Sequence, residues 1–359
     1  MKPLLDVCGL TVELPTEQGW VRPVNDVSLR VGAGECLGLV GESGSGKTML
    51  SLALMGLLPT GARVKGQAWI QGAAPALWNE VPPKHEAGRD YAKDVLTLSE
   101  QALRAVRGRE IAMIFQEPMT SLNPVMRVGV QVEEAIRAHY PKMPASPVRR
   151  NMLEALRLAA VPEPEERAKQ FPHQLSGGLR QRVMIAMAIA AGLAEPGLEM
   201  TSLEKRTAED VLSGPRLLIA DEPTTALDVT VQREILELLQ KLRAELGLGL
   251  LFITHDLGVV AQVADRVAVM YAGRVVEEGP AKEVLGVPRH PYTQGLLAAS
   301  PKLERVKLTP IAGNVPKLTA LPPGCAFEPR CGLRRSECSA AVPDLRAADA
   351  NHSARCVLV

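Results

Sequence analysis

Five short apolar runs, at 36–40, 111–115, 217–220, 250–254 and 267–271, stand out along the chain. Continuous runs of that length predict strands buried on both faces. The helical patterns between them predict a mostly parallel sheet covered on both sides, an α/β fold. Between two of the runs, Val231, Ile235, Leu238, Leu239, Leu242 and Leu246 trace a helical stripe that Gly247 ends. No internal repeat is visible, so one such unit is expected. Two segments interrupt the pattern. Residues 73–94, rich in Pro, Ala and charge, predict an extended loop, and 193–215 contains Thr201-x-x-Glu204, a capping box for a short surface helix. Both are expected to be solvated decoration rather than partner contacts. Past Pro288 the chain turns to Pro, Arg and Cys with little apolar periodicity, so something other than hydrophobic burial is expected to hold that tail.

With 359 residues the chain suits one large α/β domain plus an appendage, or two domains. Its 46% hydrophobic and 23% charged residues are those of a globular protein. Lys and Arg number 41 against 40 Asp and Glu, a net charge of +1, so no global field favours nucleic acid or an anionic membrane. The opening MKPLLDVCGLTVEL lacks a basic start followed by a long apolar run, so no signal peptide is expected. The longest uncharged apolar run, 183–194, is too short to span a bilayer, which predicts a soluble or at most peripheral chain. Cys8 and Cys36 stand alone, whereas Cys325, Cys331, Cys338 and Cys356 crowd the tail, a pattern that points to a metal or cluster site more than to disulfides.

The chemistry sits at the ends of the predicted strands. GESGSGKT follows the first run and fits a phosphate loop: Gly41, Glu42, Ser43, Gly44, Ser45 and Gly46 supply a backbone that wraps phosphates. Lys47 reaches the β and γ phosphates, and Thr48 offers a hydroxyl to Mg²⁺. RLLIADEP, 216–223, is a buried strand ending in two carboxylates, Asp221 for the Mg²⁺ shell and Glu222 to orient or deprotonate an attacking water. Gln116 and His255 close two other strands at the edge where ligands bind in open α/β folds, the amide sensing Mg²⁺ and water, the imidazole a γ-phosphate oxygen. LSGGLRQR, 175–182, places a Ser-Gly-Gly turn at the start of a basic helix, so backbone N–H groups, a hydroxyl and a helix N-terminus face an anion. With a phosphate loop elsewhere, this second anion site is expected to serve a partner's nucleotide.

This order of elements resembles the ATP-binding subunits of ABC transporters over roughly residues 4–283, with GESGSGKT, Gln116, LSGGLRQR, LLIADEP, Ala226-Leu227-Asp228 and His255 matching in sequence. The resemblance implies a P-loop NTPase core of RecA-like type with antiparallel β and helical subdomains, the latter at about 117–175. It also implies two subunits sandwiching two ATP molecules, with Ser176, Gly177, Gly178 and Gln181 acting in trans and Asp228 joining the half-sites.

The finer resemblance is to the dipeptide, oligopeptide and nickel importers, carried by FQEPMTSLNP at 115–124, DEPTTALDVTVQ at 221–232 and HPYTQGLL at 290–297. PGCAFEPRC at 323–331, followed by Cys338 and Cys356, resembles the tail of that family's longer members and extends the likeness over 284–359. It implies a [4Fe-4S] cluster on Cys325, Cys331, Cys338 and Cys356. Four thiolates also suit zinc, and metal-free cysteines stay possible in a reducing compartment. Leu179 stands where this family often has Met, and both insertions depart from its pattern. Trp20 is the aromatic nearest the loop in the N-terminal segment, either an adenine platform or ordinary packing.

The expectation is therefore an ATPase subunit on the cytoplasmic face of a bacterial membrane, using MgATP to drive peptide uptake. Its implied partners are a second ATPase subunit, identical or paralogous, two permeases and, indirectly, a periplasmic or lipid-anchored solute-binding protein, with no nucleic acid. The segment after Gln116 is the implied contact with a permease. The alternatives are an importer of nickel chelate, sugar or another solute, and a non-transport ABC ATPase of ribosomes or DNA. Non-transport members usually pair two cassettes in one chain or insert long coiled coils between phosphate loop and signature, and this sequence shows neither.

Overall fold

The computed structural model describes residues 3–17, 19–71, 92–117, 121–193, 214–300 and 310–359. The insertions at 73–94 and 193–215 fall almost wholly outside the described residues, as does the Thr201-x-x-Glu204 capping box. Two compact units emerge, one of Met1–Leu98 with Leu251–Val359, the other of Ser99–Leu250.

The first unit opens with β1 (Leu5–Thr16) and β2 (Gly19–Val31), paired antiparallel with Leu5 opposite Val31. After β3 (Cys36–Val40) and α1 (Lys47–Leu54), β4 (Arg63–Gln71) pairs with the other edge of β1, and β5 (Ala92–Asp94) with β4. The resulting antiparallel sheet runs β2-β1-β4-β5. Leu5, Val7, Leu10 and Val12 of β1 are buried and alternate in part with half-buried residues, the pattern of a sheet packed on one face. All five residues of β3 are buried, as its unbroken apolar run requires.

The second unit contains α2 (Glu100–Val106), β6 (Ile111–Ile114), α3 (Val128–Arg137), α4 (Ala145–Leu158), α5 (Gly177–Leu193), β7 (Leu217–Asp221) and α6 (Val229–Leu246). Strands β6 and β7 run parallel, Ile111 opposite Leu217. Helix α5 is central, packed against α3, α4, α6 and β6, with Val183, Ile185, Ala186, Ile189 and Ala190 fully buried. Asp228 caps α6 by accepting the Val231 N–H at 3.0 Å, and Gly247, at φ 61°, ends it in the left-handed conformation. Its buried stripe includes Ile235 and Leu242, both 0% exposed, and each such side chain stabilises by about 1.5–3 kcal/mol.

The chain returns to the first unit through β8 (Gly249–Thr254), followed by α7 (Leu257–Val263), β9 (Arg266–Tyr271), β10 (Arg274–Pro280), α8 (Ala281–Gly286), α9 (Pro291–Ala299), β11 (Arg346–Asp349) and β12 (His352–Ala354). Here the sheet order is β11-β12-β10-β9-β3-β8. Strands β3 and β9 are parallel, with Val40 opposite Val269, while β9–β10, β10–β12 and β11–β12 are antiparallel. Parallel pairing thus marks the strands that lead into the chemical motifs, and antiparallel pairing the N-terminal sheet and the tail.

Four of the expected runs differ from the strands by one residue: β6 stops at Ile114, β7 reaches Asp221, and β8 and β9 start at Gly249 and Arg266.

Strand pairing and buried polar anchors hold the tail. Glu277, 0% exposed, lies 2.7 Å from His352 Nε2 and accepts the N–H groups of Arg289 and His290 at 2.6 and 3.0 Å. One apolar wedge adds to them: Phe327 sits edge-on to Tyr271 at 5.3 Å and 5.4 Å from Tyr292. Among the described residues no helix is long and apolar enough to cross a membrane.

Candidate functional site

In the first unit the loop Gly41–Gly46 joins β3 to α1. Gly46 has φ 104°, and a Cβ there would lie 1.9 Å from the Pro23 carbonyl oxygen; one on Gly41, at φ 155°, would lie 2.2 Å from that of Met270. Only glycine permits so close an approach of three backbones. Ser43 and Gly44 face solvent, whereas Ser45 is 1% and Lys47 5% exposed. Lys47 Nζ donates to the carbonyls of Gly41 and Glu42 at 2.7 and 3.1 Å and to Ser45 Oγ at 3.3 Å, which parks the ammonium over the loop. Thr48 is exposed on the first turn of α1, a turn without an acidic residue, and the dipole at that helix N-terminus favours an anion.

His255 is exposed in the turn after β8. Asp256 shapes that turn: its N–H donates to Thr254 Oγ1 at 3.1 Å and its carboxylate accepts from Gly258 N at 2.8 Å, capping α7. Trp20 is 44% exposed on β2, with the Arg63 guanidinium 3.8 Å above its ring.

The second unit carries the other candidates. Asp221, 1% exposed, ends β7. Glu222 follows at φ 47°, a strained conformation for a residue with a side chain. Its Oε2 accepts from Gln116 Nε2 at 3.1 Å and Thr225 Oγ1 at 2.9 Å, so Gln116 and Glu222, each expected at a strand end, meet directly. The turn continues through Ala226, also left-handed, to the Asp228 cap.

Ser176 Oγ accepts the Leu179 N–H at 3.3 Å at the start of α5. A Cβ on Gly177 would meet Leu227 Cδ2 at an ordinary 3.6 Å, but one on Gly178 would lie 2.6 Å from Val231 Cγ1. The Ser-Gly-Gly turn therefore packs against the start of α6, just beyond Asp228. Gln181 is buried, 1% exposed. The basic residues of this helix serve the fold: Arg180 Nε donates to the Pro172 carbonyl at 2.7 Å, and Arg182 binds the Ala160 carbonyl at 3.2 Å and Glu234 at 2.9 Å.

One contact on the phosphate loop has no local signal in the sequence. Arg330 clasps both carboxylate oxygens of Glu42, at 2.7 and 3.1 Å, and Tyr292 Oη accepts the Glu42 N–H at 2.8 Å. The Glu42 carboxylate raises the Arg330 pKa, and burial raises that of Tyr292. Tyr292 is fixed in turn by His290, whose Nδ1 accepts the Tyr292 N–H at 3.0 Å. Burial lowers the His290 pKa to about 4, so the ring is neutral and able to accept.

Cys325, Cys331, Cys338 and Cys356 line one pocket beside Phe327 and Leu358. The Cys325 N–H donates to the Cys338 carbonyl at 2.8 Å, and burial pushes the thiols of Cys325, Cys331 and Cys356 up. The donor set suits iron–sulfur or zinc chemistry. Yet among the described residues no three His, Cys, Asp or Glu side chains gather closely enough to hold one metal ion. Tetrahedral zinc with Zn–S bonds of about 2.3 Å would draw its sulfurs to about 3.8 Å from one another.

Residues 24–193 match the ABC transporter family, and 276–338 match the family described as oligopeptide/dipeptide transporter, C-terminal region. The chain is 45% identical to a protein of Brucella ovis named as a peptide import ATP-binding protein, over 99% of this chain and 97% of that one. It is 44% identical to the oligopeptide transport ATP-binding protein OppD of Salmonella typhimurium, over 95% of this chain and 89% of that one. Among solved structures it is similar to a dimeric ATP-binding cassette in a post-hydrolysis state bound to ADP and Pi, with a TM-score of 0.58 and 26% identity over 77% of this chain and 98% of that one.

Proposed function

Because this chain belongs to the ABC transporter family, among the ATP-binding subunits that carry the oligopeptide/dipeptide C-terminal region, we propose that it hydrolyses ATP to power a peptide importer. The observation that carries the reading is the 45% identity to a peptide import ATP-binding protein across 99% of the chain. Gly41–Lys47 wrap the triphosphate. Thr48, Asp221 and Gln116 would hold Mg²⁺. Glu222, oriented by Gln116 and Thr225, takes the proton of the attacking water, and His255 hydrogen-bonds the γ-phosphate.

Two such subunits, identical or paralogous, close on two nucleotides. Ser176, Gly177 and Gly178 present N–H groups and a hydroxyl to the partner's ATP, with Gln181 part of the same signature, and Asp228 joins the two half-sites. Closure stabilises one state of two permeases and hydrolysis releases it, so the free energy of ATP acts through differential stability of the two states. The subunit works at the cytoplasmic face of the membrane, supplied by a solute-binding protein. Trp20 is the aromatic offered to adenine. The residues after Gln116 meet a permease.

Cys325, Cys331, Cys338 and Cys356, which line one pocket, would hold a [4Fe-4S] cluster, with zinc the alternative for the same donor set. When bound, such a cluster cross-links a tail that has few apolar anchors.

The test is Glu222→Gln in the reconstituted importer. ATP binding persists, turnover falls by about 10²-fold or more, and a closed dimer accumulates on size exclusion with light scattering. Normal turnover in that variant would overturn the assigned base.

A further inference from the structure

Glu42 is the second residue of the phosphate loop, and its peptide is held on both sides. Its carbonyl accepts Lys47 Nζ at 3.1 Å and the Ser45 N–H at 3.2 Å, while its N–H donates to Tyr292. Its side chain meets Arg330, itself fixed by three further acceptors or neighbours. Nη1 lies 3.3 Å from Tyr271 Oη, Nε donates to the Ala312 carbonyl at 3.1 Å, and the Arg330 N–H donates to the Phe327 carbonyl at 3.0 Å. The Arg330 side chain is 4% exposed and that of Glu42 29%, so the pair is shielded and bidentate, the strong form of such contacts. Tyr271 and Tyr292 are 1% and 0% exposed, which leaves the clamp little freedom to drift.

We propose that Arg330 and Tyr292 are positioning residues of the ATP site: they hold Glu42 so that the phosphate loop keeps its open, anion-binding form, and Arg330 cancels the Glu42 charge beside the triphosphate. The tail thereby completes the nucleotide site of its own chain. This rests on the ATP-binding reading and deepens it. Without Arg330 two effects act together. The loop loses its tether, and a carboxylate stands uncompensated next to bound phosphates, where like charges in a partly dry site repel strongly. The cysteine pocket is connected to the clamp by covalent chain, because Cys331 follows Arg330 directly and its N–H donates to the Glu328 carbonyl at 3.1 Å. Disturbing that turn therefore reaches the phosphate loop.

The experiment measures ATP affinity by isothermal titration in the full-length chain carrying Glu222→Gln to suppress turnover. The parent variant must bind ATP for the underlying reading to stand, which separates its failure from that of the clamp. Arg330→Gln weakens binding by about 10- to 100-fold, the range set by losing hydrogen bonds to a charged group. Arg330→Lys retains the charge with one contact and falls between. Tyr292→Phe keeps the ring among Tyr271 and Phe327, removes only the acceptor, and weakens binding several-fold. The decisive variant is the double Arg330→Gln/Glu42→Gln, which still lacks the arginine but has no orphaned carboxylate, and it regains most of the affinity. Unchanged affinity in Arg330→Gln, or a double variant as weak as Arg330→Gln alone, overturns the proposal, the second outcome because a merely structural arginine would not be rescued at Glu42.

Discussion

Alanine at Gly178 separates two reasons for a glycine in the Ser-Gly-Gly turn. Its Cβ would lie 2.6 Å from Val231 Cγ1, 3.7 Å from Cγ2 and 3.8 Å from Cβ. Apolar carbons rest at about 3.5–4.0 Å, so one methyl is short by about 1 Å. Valine in a helix has essentially one χ1 rotamer, and Cγ1 cannot swing aside. Relief then comes from moving the start of α5 away from α6, at an overpacking cost of about 1–3 kcal/mol. Expressed as lost population of the productive turn, that is about a 5- to 150-fold fall in kcat/KM for ATP. Gly177→Ala makes only the ordinary 3.6 Å contact with Leu227, so any defect there arises on the nucleotide side. The assay is steady-state ATP hydrolysis by the importer in vesicles. Val231→Ala removes the offending Cγ1 methyl together with Cγ2, and Gly178→Ala/Val231→Ala regains most of the lost activity, while Gly177→Ala gains nothing from it. A double variant no better than Gly178→Ala, with Val231→Ala alone near wild type, refutes the steric account and leaves close approach of the nucleotide as the reason for glycine.

Gly46→Ala abolishes ATP binding, since its Cβ would collide with the Pro23 carbonyl at 1.9 Å and φ 104° is strained for alanine; full retention on immobilised ATP would sink that argument. For the tail, anaerobic purification followed by iron and acid-labile sulfide analysis finds about four of each per chain, and Cys331→Ser reduces both; stoichiometric zinc without iron contradicts the cluster. Burial, and secondarily Arg109, lowers the His139 pKa below its ordinary 6.5, so the unfolded chain takes up a proton at higher pH than the folded one. That contribution to stability is complete above pH 6.5 and declines as pH falls through the lowered value. The thermal midpoint of wild type therefore drops more steeply on acidification from pH 8 than that of His139→Gln, and parallel curves would refute it.

Which parts of this molecule could be read from sequence follows from where each residue's neighbours lie along the chain. β3, β7, β8 and β9 are buried on both faces, so an unbroken apolar run is their signature and their ends fall within a residue of the expected bounds. α6 announces itself by its stripe, with Asp228 at one end and Gly247 at the other. β1 and β2 had no such clarity. Their register shifts three times, between Val7 and Leu10, Leu10 and Val12, and Val12 and Leu14, and each bulge breaks the alternation of two that marks a half-buried strand. Only the family resemblance pointed to that sheet.

The phosphate loop and the Asp221-Glu222 pair are legible because their function is written in consecutive residues. Arg180 and Arg182 make the helix basic in sequence and bind carbonyls and Glu234 in the structure, because helix position decides what a guanidinium can reach and sequence spacing alone does not. The Glu42–Arg330 pair is the extreme case. Separated by 288 residues, it leaves no periodicity, spacing or composition to find it by. Glu42 reads as one letter of the phosphate loop and Arg330 as one letter of PGCAFEPRC, with nothing in either segment that points to the other. Their pairing exists only because β10 and β12 bring the tail back beside β9, whose Met270 carbonyl also bounds the loop at Gly41. A tail that docks on the strand flanking the phosphate loop is placed to act on ATP binding, whatever its cysteines hold, and that is why the affinity of Arg330→Gln, rather than metal content, tests what the tail does for its own chain.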